Sequence, residues 1–157
     1  MTLPSRLQRF RQRGGVFVAA QFVLIGLVAL RGRKRKSVGI LQKAAGLSLM
    51  ALGGAIVASG GRSLGRNLSA LPEPLDGAQL VTTGLYGHIR HPIYSGLLVL
   101  GVGWGVLRGS PGALGWTAAL ATLFHFKASR EETALLARFP EYAAYRKRTK
   151  RFVPGVV

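Results

Sequence analysis

The stretch Thr82–Leu98, TTGLYGHIRHPIYSGLL, gathers two imidazoles (His88, His91), a guanidinium (Arg90) and two phenols (Tyr86, Tyr94) around one proline, immediately before an apolar run. Imidazole can take or give a proton near neutrality. A phenol can donate a hydrogen bond, and its ring face attracts cations. A second polar segment, Lys127–Val157, carries the neighbouring carboxylates Glu131 and Glu132. A carboxylate suits hydroxyl or ammonium groups. Helix N-terminal charge is the plain account of such a pair, and a capping box opened by Ser129 accounts for Glu132 while leaving Glu131 free. His88 matches no motif and reads as a solvated loop residue. His125 reads as helix packing. Arg90 either neutralises an anion or snorkels at a helix end.

These residues must be positioned by the apolar blocks between them. The chain has 157 residues, enough for one domain, and 48% are apolar. Four blocks stand out: Gly14–Leu30, Val38–Ala58, Pro92–Leu107 and Pro111–Phe126. About 20 apolar residues cross a bilayer, with roughly 17 as the lower limit. The second block qualifies, the first is borderline, and the last two are short and joined by Arg108-Gly-Ser110 as a tight hairpin. Little sequence remains to give four such helices polar faces, which argues against a soluble core. The fold class expected is therefore all-α, an integral membrane bundle of about four spanning helices. A polar loop and C-terminal amphipathic helices complete a pocket, and residues 1–157 form a single domain. Basic residues precede the first block, but RGRKRK (Arg31–Lys36) follows it in place of a small-residue cleavage site, so it reads as an uncleaved anchor.

If all four blocks span, the N-terminus, the 59–91 loop and the C-terminal tail share one face. That face holds the larger share of Lys and Arg, including Arg6, Arg9, Arg11 and Arg13, and is expected to be cytoplasmic. Trp104 and Trp116 fall near the opposite ends, as an aromatic belt would have them. The net charge of +17 comes with no nucleic-acid-binding signature and fits attraction to anionic headgroups better. No nucleic acid and no metal are expected as partners. The chain has no cysteine, so thiolate chemistry is excluded. Gly96, Gly101 and Gly105 read as small-residue helix packing, and no strand precedes a glycine-rich fingerprint that would support a Rossmann cofactor site.

The loop Ser59–His91 is long for a connector, and long loops in small proteins are usually functional. The tail reads as two short helices, the first opened by Ser129 and the second by Pro140. Tyr142 and Tyr145 line one side of the second, and the element is expected on the membrane surface. A hairpin of the last two blocks returns His91 and Lys127 to the same face, so loop and tail must meet at a membrane–water boundary.

LVTTGLYGHIRHPIY, followed by the Glu pair, by Phe139-Pro140-Glu141-Tyr142 and by a terminal RFVP, resembles the isoprenylcysteine carboxyl methyltransferase and phospholipid methyltransferase superfamily over roughly residues 64–154. That resemblance implies a membrane-embedded enzyme using S-adenosylmethionine on a lipid or lipidated substrate. Matching positions imply cofactor contacts at Leu80, Val81, Tyr86, His91, Pro92, Ile93, Tyr94 and Glu131. Lys127 stands where the isoprenylcysteine enzymes place an Arg that meets the substrate carboxylate. A Lys there gives a point charge in place of a bidentate fork. The Phe-Pro-Glu-Tyr segment is one residue shorter than the family's usual form. The resemblance names no general base. A carboxylate acceptor needs only an orienting cation, from Lys127, Arg138 or Arg148. A phospholipid amine would need deprotonation, with His91 or Glu131 as candidate. Carboxyl O-methylation is the leading expectation, phospholipid amine N-methylation the first alternative, and a non-enzymatic protein clamping anionic lipid the second.

Overall fold

The computed structural model describes residues 14–30 and 37–153. The N-terminal arginines and RGRKRK lie outside the described residues. Among the described residues five α-helices follow one another: α1 (Gly15–Leu30), α2 (Ile40–Leu64), α3 (Pro92–Arg108), α4 (Pro111–Arg138) and α5 (Tyr142–Arg148). Short 3-10 turns occupy Gly65–Asn67 and Gly84–Gly87. Among the described residues there is no strand, only an isolated parallel bridge between Ile89 and Lys150.

Glycines decide how the helices pack. Gly46, Gly53 and Gly60 recur every seven residues on α2, close to two helical turns, and so share one face. Gly53 and Gly46 meet Gly96 and Gly103 of α3, and Gly60 lies against Pro92 and Ile93. A Cβ on Gly53 would sit 2.7 Å from the Gly96 carbonyl oxygen, and one on Gly103 would sit 2.9 Å from the Gly46 carbonyl oxygen. The backbones are in contact, as in small-residue packing between membrane helices. Gly101 and Gly105 turn the other way, against Thr117 and Leu114 of α4. The expected single stripe of Gly96, Gly101 and Gly105 is thus divided between two neighbours. α2 packs along α3, α3 along α4, and α1 along α4 with a smaller contact to α3.

The outer surface is apolar. Phe22 and Val23 of α1 and Leu41 of α2 are each more than half exposed. The stretch Ile40–Asn67 is long and apolar enough to cross a membrane, with mean hydropathy 1.6, and only 11% of its most apolar window is buried inside the protein. A soluble core helix would be mostly covered. α1 and α3 are apolar but shorter, about 24 and 26 Å at 1.5 Å per residue. Of the four expected spans, one helix among the described residues clearly meets the length and composition requirement.

The turn between α3 and α4 is tight. Gly109 adopts φ 56, ψ 41 and donates back to the carbonyls of Gly105 and Val106, and the Ser110 hydroxyl accepts from Ala113 N. The tail departs from expectation. α4 does not stop at Phe126 but runs on to Arg138, so Ser129 opens no helix and no capping box forms. The reason is local: from Lys127 to Arg138 there is neither Gly nor Pro, and Ala, Leu, Glu and Arg favour the helix. The Ser129 hydroxyl turns back to the His125 carbonyl, 3.0 Å away. Pro140 ends the run by holding Phe139 extended, at φ −120, ψ 106. Tyr142 and Tyr145 of α5 are buried against the protein, so that face of the helix does not lie on a membrane surface.

The long loop is shorter than its sequence promised, because α2 absorbs Ser59–Leu64. The Asn67 side chain pins the rest, donating through Nδ2 to the Gln79 backbone carbonyl at 3.1 Å and accepting at Oδ1 from Gln79 N at 3.2 Å. Residues 150–152 strap the start of α3. Lys150 and Arg151 carbonyls accept from Arg90 N and His91 N, and the Ser95 hydroxyl donates to the Phe152 carbonyl at 2.6 Å.

Candidate active site

His91 and Tyr94 sit three residues apart at the start of α3, and Phe124, Lys127 and Glu131 follow at three- and four-residue steps along α4. These spacings put each set on one helix face. The antiparallel α3–α4 hairpin then brings the two faces together.

The result is a stack. The Tyr94 ring lies parallel to the His91 imidazole at 5.4 Å and to the Phe124 ring at 4.4 Å. The Lys127 ammonium stands 5.0 Å over the same Tyr94 ring. The Tyr94 hydroxyl donates to Glu131 Oε1. Glu131 Oε2 faces His91 Nδ1 at 3.3 Å, and Glu132 Oε1 faces His91 Nε2 at 3.2 Å. Both nitrogens of one buried imidazole therefore meet carboxylates. Burial alone would lower the His91 pKa, but the two carboxylates outweigh it and raise it above the usual histidine value. The arrangement favours an imidazolium donating through both N–H groups.

Glu131 and Glu132 are adjacent, so the helix splays them about 100° apart. Glu131 faces a cavity. Glu132 is 2% exposed and faces cations: Arg90 Nε at 3.0 Å, Arg151 Nη2 at 2.9 Å and Arg146 Nε at 3.4 Å. Burial pushes its carboxyl up, yet hydrogen bonds from His91, Arg151 and Arg90 hold it well below the ordinary carboxylate range. Arg90 also reaches the carbonyls of Arg146 and Thr149, so it joins α4, α5 and the C-terminal strap. It does not snorkel at a helix end. His88 and His125 are exposed, and His125 packs edge-on against Phe126 outside the site.

The cavity measures about 410 Å³, within the roughly 300–1,000 Å³ of small-molecule sites. Leu80, Val81, Tyr86, His91, Ile93, Tyr94, Lys127 and Glu131 all line it. Pro92 does not. It occupies the first position of α3, fully buried beside Gly60, where its fixed φ starts the helix. Arg138 and Arg148 are not in this wall either. Arg138 lies 4.0 Å from Asp76.

Three contributors escape sequence reasoning. Glu132 was absorbed by the expected cap. Gln21, the one polar side chain in α1, lines the cavity and accepts from Lys127 Nζ at 2.7 Å. An isolated amide in an apolar helix was the available signal. Tyr142 also lines the cavity, and its hydroxyl is buried with no hydrogen-bond partner among the described residues. Among those residues no group of three or more His, Cys, Asp or Glu is arranged to hold a metal ion.

The family model for phospholipid methyltransferases matches residues 41–142, which hold both halves of this site. The chain belongs to the phospholipid methyltransferase family. Its fold is also similar to that of a eukaryotic intramembrane Ras methyltransferase, an isoprenylcysteine carboxyl methyltransferase. The TM-score is 0.68 at 21% identity, over 98% of this chain and 55% of the other. This family member thus spans about half the length of that enzyme. No curated protein sequence matches it.

Proposed function

We propose that this family member is a membrane-embedded S-adenosylmethionine-dependent methyltransferase that methylates a carboxylate on a lipidated or isoprenoid-like acceptor. The supporting observation is the convergence of His91, Tyr94, Lys127 and Glu131, from segments far apart in sequence, on one cavity beside an apolar helical hairpin.

The residues present fit the cofactor. Glu131 offers a carboxylate to an ammonium or to ribose hydroxyls, and Tyr86 offers an aromatic surface. Tyr142 offers a buried hydroxyl that lacks a partner among the described residues. Leu80, Val81 and Ile93 add apolar wall. When bound, the cofactor supplies a sulfonium-activated methyl group for in-line displacement. The chain's own work is then to orient the nucleophile and exclude water.

Proton accounting favours a carboxylate acceptor. An ammonium acceptor must lose a proton before it can attack. His91 has both nitrogens committed to carboxylates, and Glu131 has one oxygen accepting from Tyr94 and the other facing His91. Glu73, the other acid in the wall, lies 3.8 Å from Arg130. A carboxylate nucleophile needs no base, only a cation to align it, and the Lys127 ammonium lines the cavity. N-methylation of a phospholipid amine remains the second reading, favoured by the family to which the chain belongs.

Isothermal titration of the detergent-purified protein with S-adenosylhomocysteine tests the cofactor reading. Binding should appear and weaken in His91→Ala and Glu131→Gln. No binding by the intact protein overturns it and favours a lipid-clamping protein. Methylated lipid product separates the two acceptors: esters are lost in mild alkali and N-methyl groups survive.

A further inference from the structure

Helix α1 lies outside the residues matched by the family model, yet it reaches the cavity through Gln21. A side-chain amide in an apolar segment is costly to bury unless it is paired. Gln21 is 8% exposed and spends its carbonyl oxygen on the Lys127 ammonium, 2.7 Å away. Lys127 is itself 1% exposed and sits over the Tyr94 ring. An ammonium has three N–H donors and a glutamine amide has two more. One ammonium hydrogen goes to Gln21. Among the described residues neither group makes a second side-chain hydrogen bond, although both line the cavity and the Glu131 charge acts on the ammonium. This end of the wall therefore presents donors, while Glu131 supplies the acceptor elsewhere in the same wall.

We propose that Gln21 is a specificity-determining positioning residue, which holds the Lys127 ammonium over Tyr94 so that the free N–H donors of both side chains form a subsite for the anionic group of the acceptor. The inference rests on the methyltransferase reading. It adds that α1 is part of acceptor recognition and that the ligand class is a carboxylate or phosphate on an apolar chain. Without the Gln21 carbonyl, the flexible lysine stem has no fixed head, and donor geometry is lost while charge remains.

The full chain in lipid nanodiscs provides the test. S-adenosylhomocysteine affinity is measured by titration, and KM and kcat are measured with N-acetyl-S-farnesylcysteine. A hydrogen bond to a charged group is lost in Gln21→Leu, so KM should rise about tenfold or more and kcat should fall with it as the aligning cation loses its place, with S-adenosylhomocysteine affinity little changed. Gln21→Glu separates positioning from scaffolding. It keeps an acceptor for Lys127, but adds a negative charge that repels the acceptor, so KM should rise further while S-adenosylhomocysteine still binds. Wild-type KM in Gln21→Glu overturns the proposal. Equal loss of S-adenosylhomocysteine binding and acceptor affinity in both variants also overturns it, since that is a folding effect. Farnesyl phosphate should compete with the acid if the subsite takes either anion, and failure to compete restricts it to carboxylates. Farnesol competing as well as the acid overturns the anionic subsite. If the wild-type protein does not bind S-adenosylhomocysteine, the methyltransferase reading fails first, and the subsite resting on it falls with that reading.

Discussion

Replacing Glu132 by Gln keeps the shape of the side chain and removes its charge. In the folded protein that carboxylate is nearly inaccessible to solvent and faces His91, Arg90, Arg151 and Arg146. The amide can accept at one oxygen only, and it turns N–H groups toward cations that already need acceptors. Breaking a buried ion pair by removing one partner costs about 3–5 kcal/mol, because the remaining charge stays desolvated. For a domain of this size each kcal/mol moves Tm by about 2–4 °C, so Glu132→Gln should melt roughly 6–20 °C below wild type. Circular dichroism at 222 nm in detergent at neutral pH reads the shift. A drop smaller than about 2 °C, worth under 1 kcal/mol on the same scale, would refute the hub. The pH dependence supplies a second check. The folded-state pKa of Glu132 is depressed, so its contribution is fully present above the ordinary glutamate value of about 4.3 and is lost as pH falls through the folded value. The gap between variant and wild type should therefore persist from pH 7 to pH 5 and narrow only in stronger acid. Adding Arg151→Met to Glu132→Gln should cost less than the sum of the two single changes, because they share one interaction.

Tyr142→Phe removes a buried hydroxyl without a partner among the described residues, so the ligand-free protein should gain about 1–3 kcal/mol of stability while S-adenosylhomocysteine binds more weakly; unchanged affinity in titration would remove Tyr142 from the binding site. Gly53→Val drives a Cβ into the Gly96 carbonyl and should destabilise by about 1–3 kcal/mol or more, read as a lower Tm, whereas Gly54→Val meets open space and should not. The His91 pKa is raised, so the stability its cation provides is complete below the ordinary value of about 6.5 and is lost as pH rises through the folded value. Methyl transfer should accordingly hold level through pH 6.5 and fall on the alkaline side; a rate that climbs through 6.5 with a single ionisation would instead mark His91 as a base.

The apolar blocks were legible because a membrane helix must satisfy its backbone within itself and cover its length with apolar side chains, a demand written locally in the chain. The block beginning at Gly14, the helix start at Pro92 and the Arg108-Gly-Ser110 turn followed from the same local chemistry. So did the meeting of His91 with Glu131, since a hairpin of two neighbouring helices leaves little choice of which ends coincide. What local reading missed depended on rotation about helix axes. Glu131 and Glu132 are equivalent in sequence, and only the packing of α4 turns one to the cavity and the other to three arginines. Ser129 offered a plausible cap, but an unbroken run of helix-forming residues carried α4 past it. Gln21 lies 106 positions from Lys127, and no local spacing couples them; they meet only because α1 packs along α4. Chemistry at this site is a property of facing surfaces, and which surfaces face is settled when the helices pack.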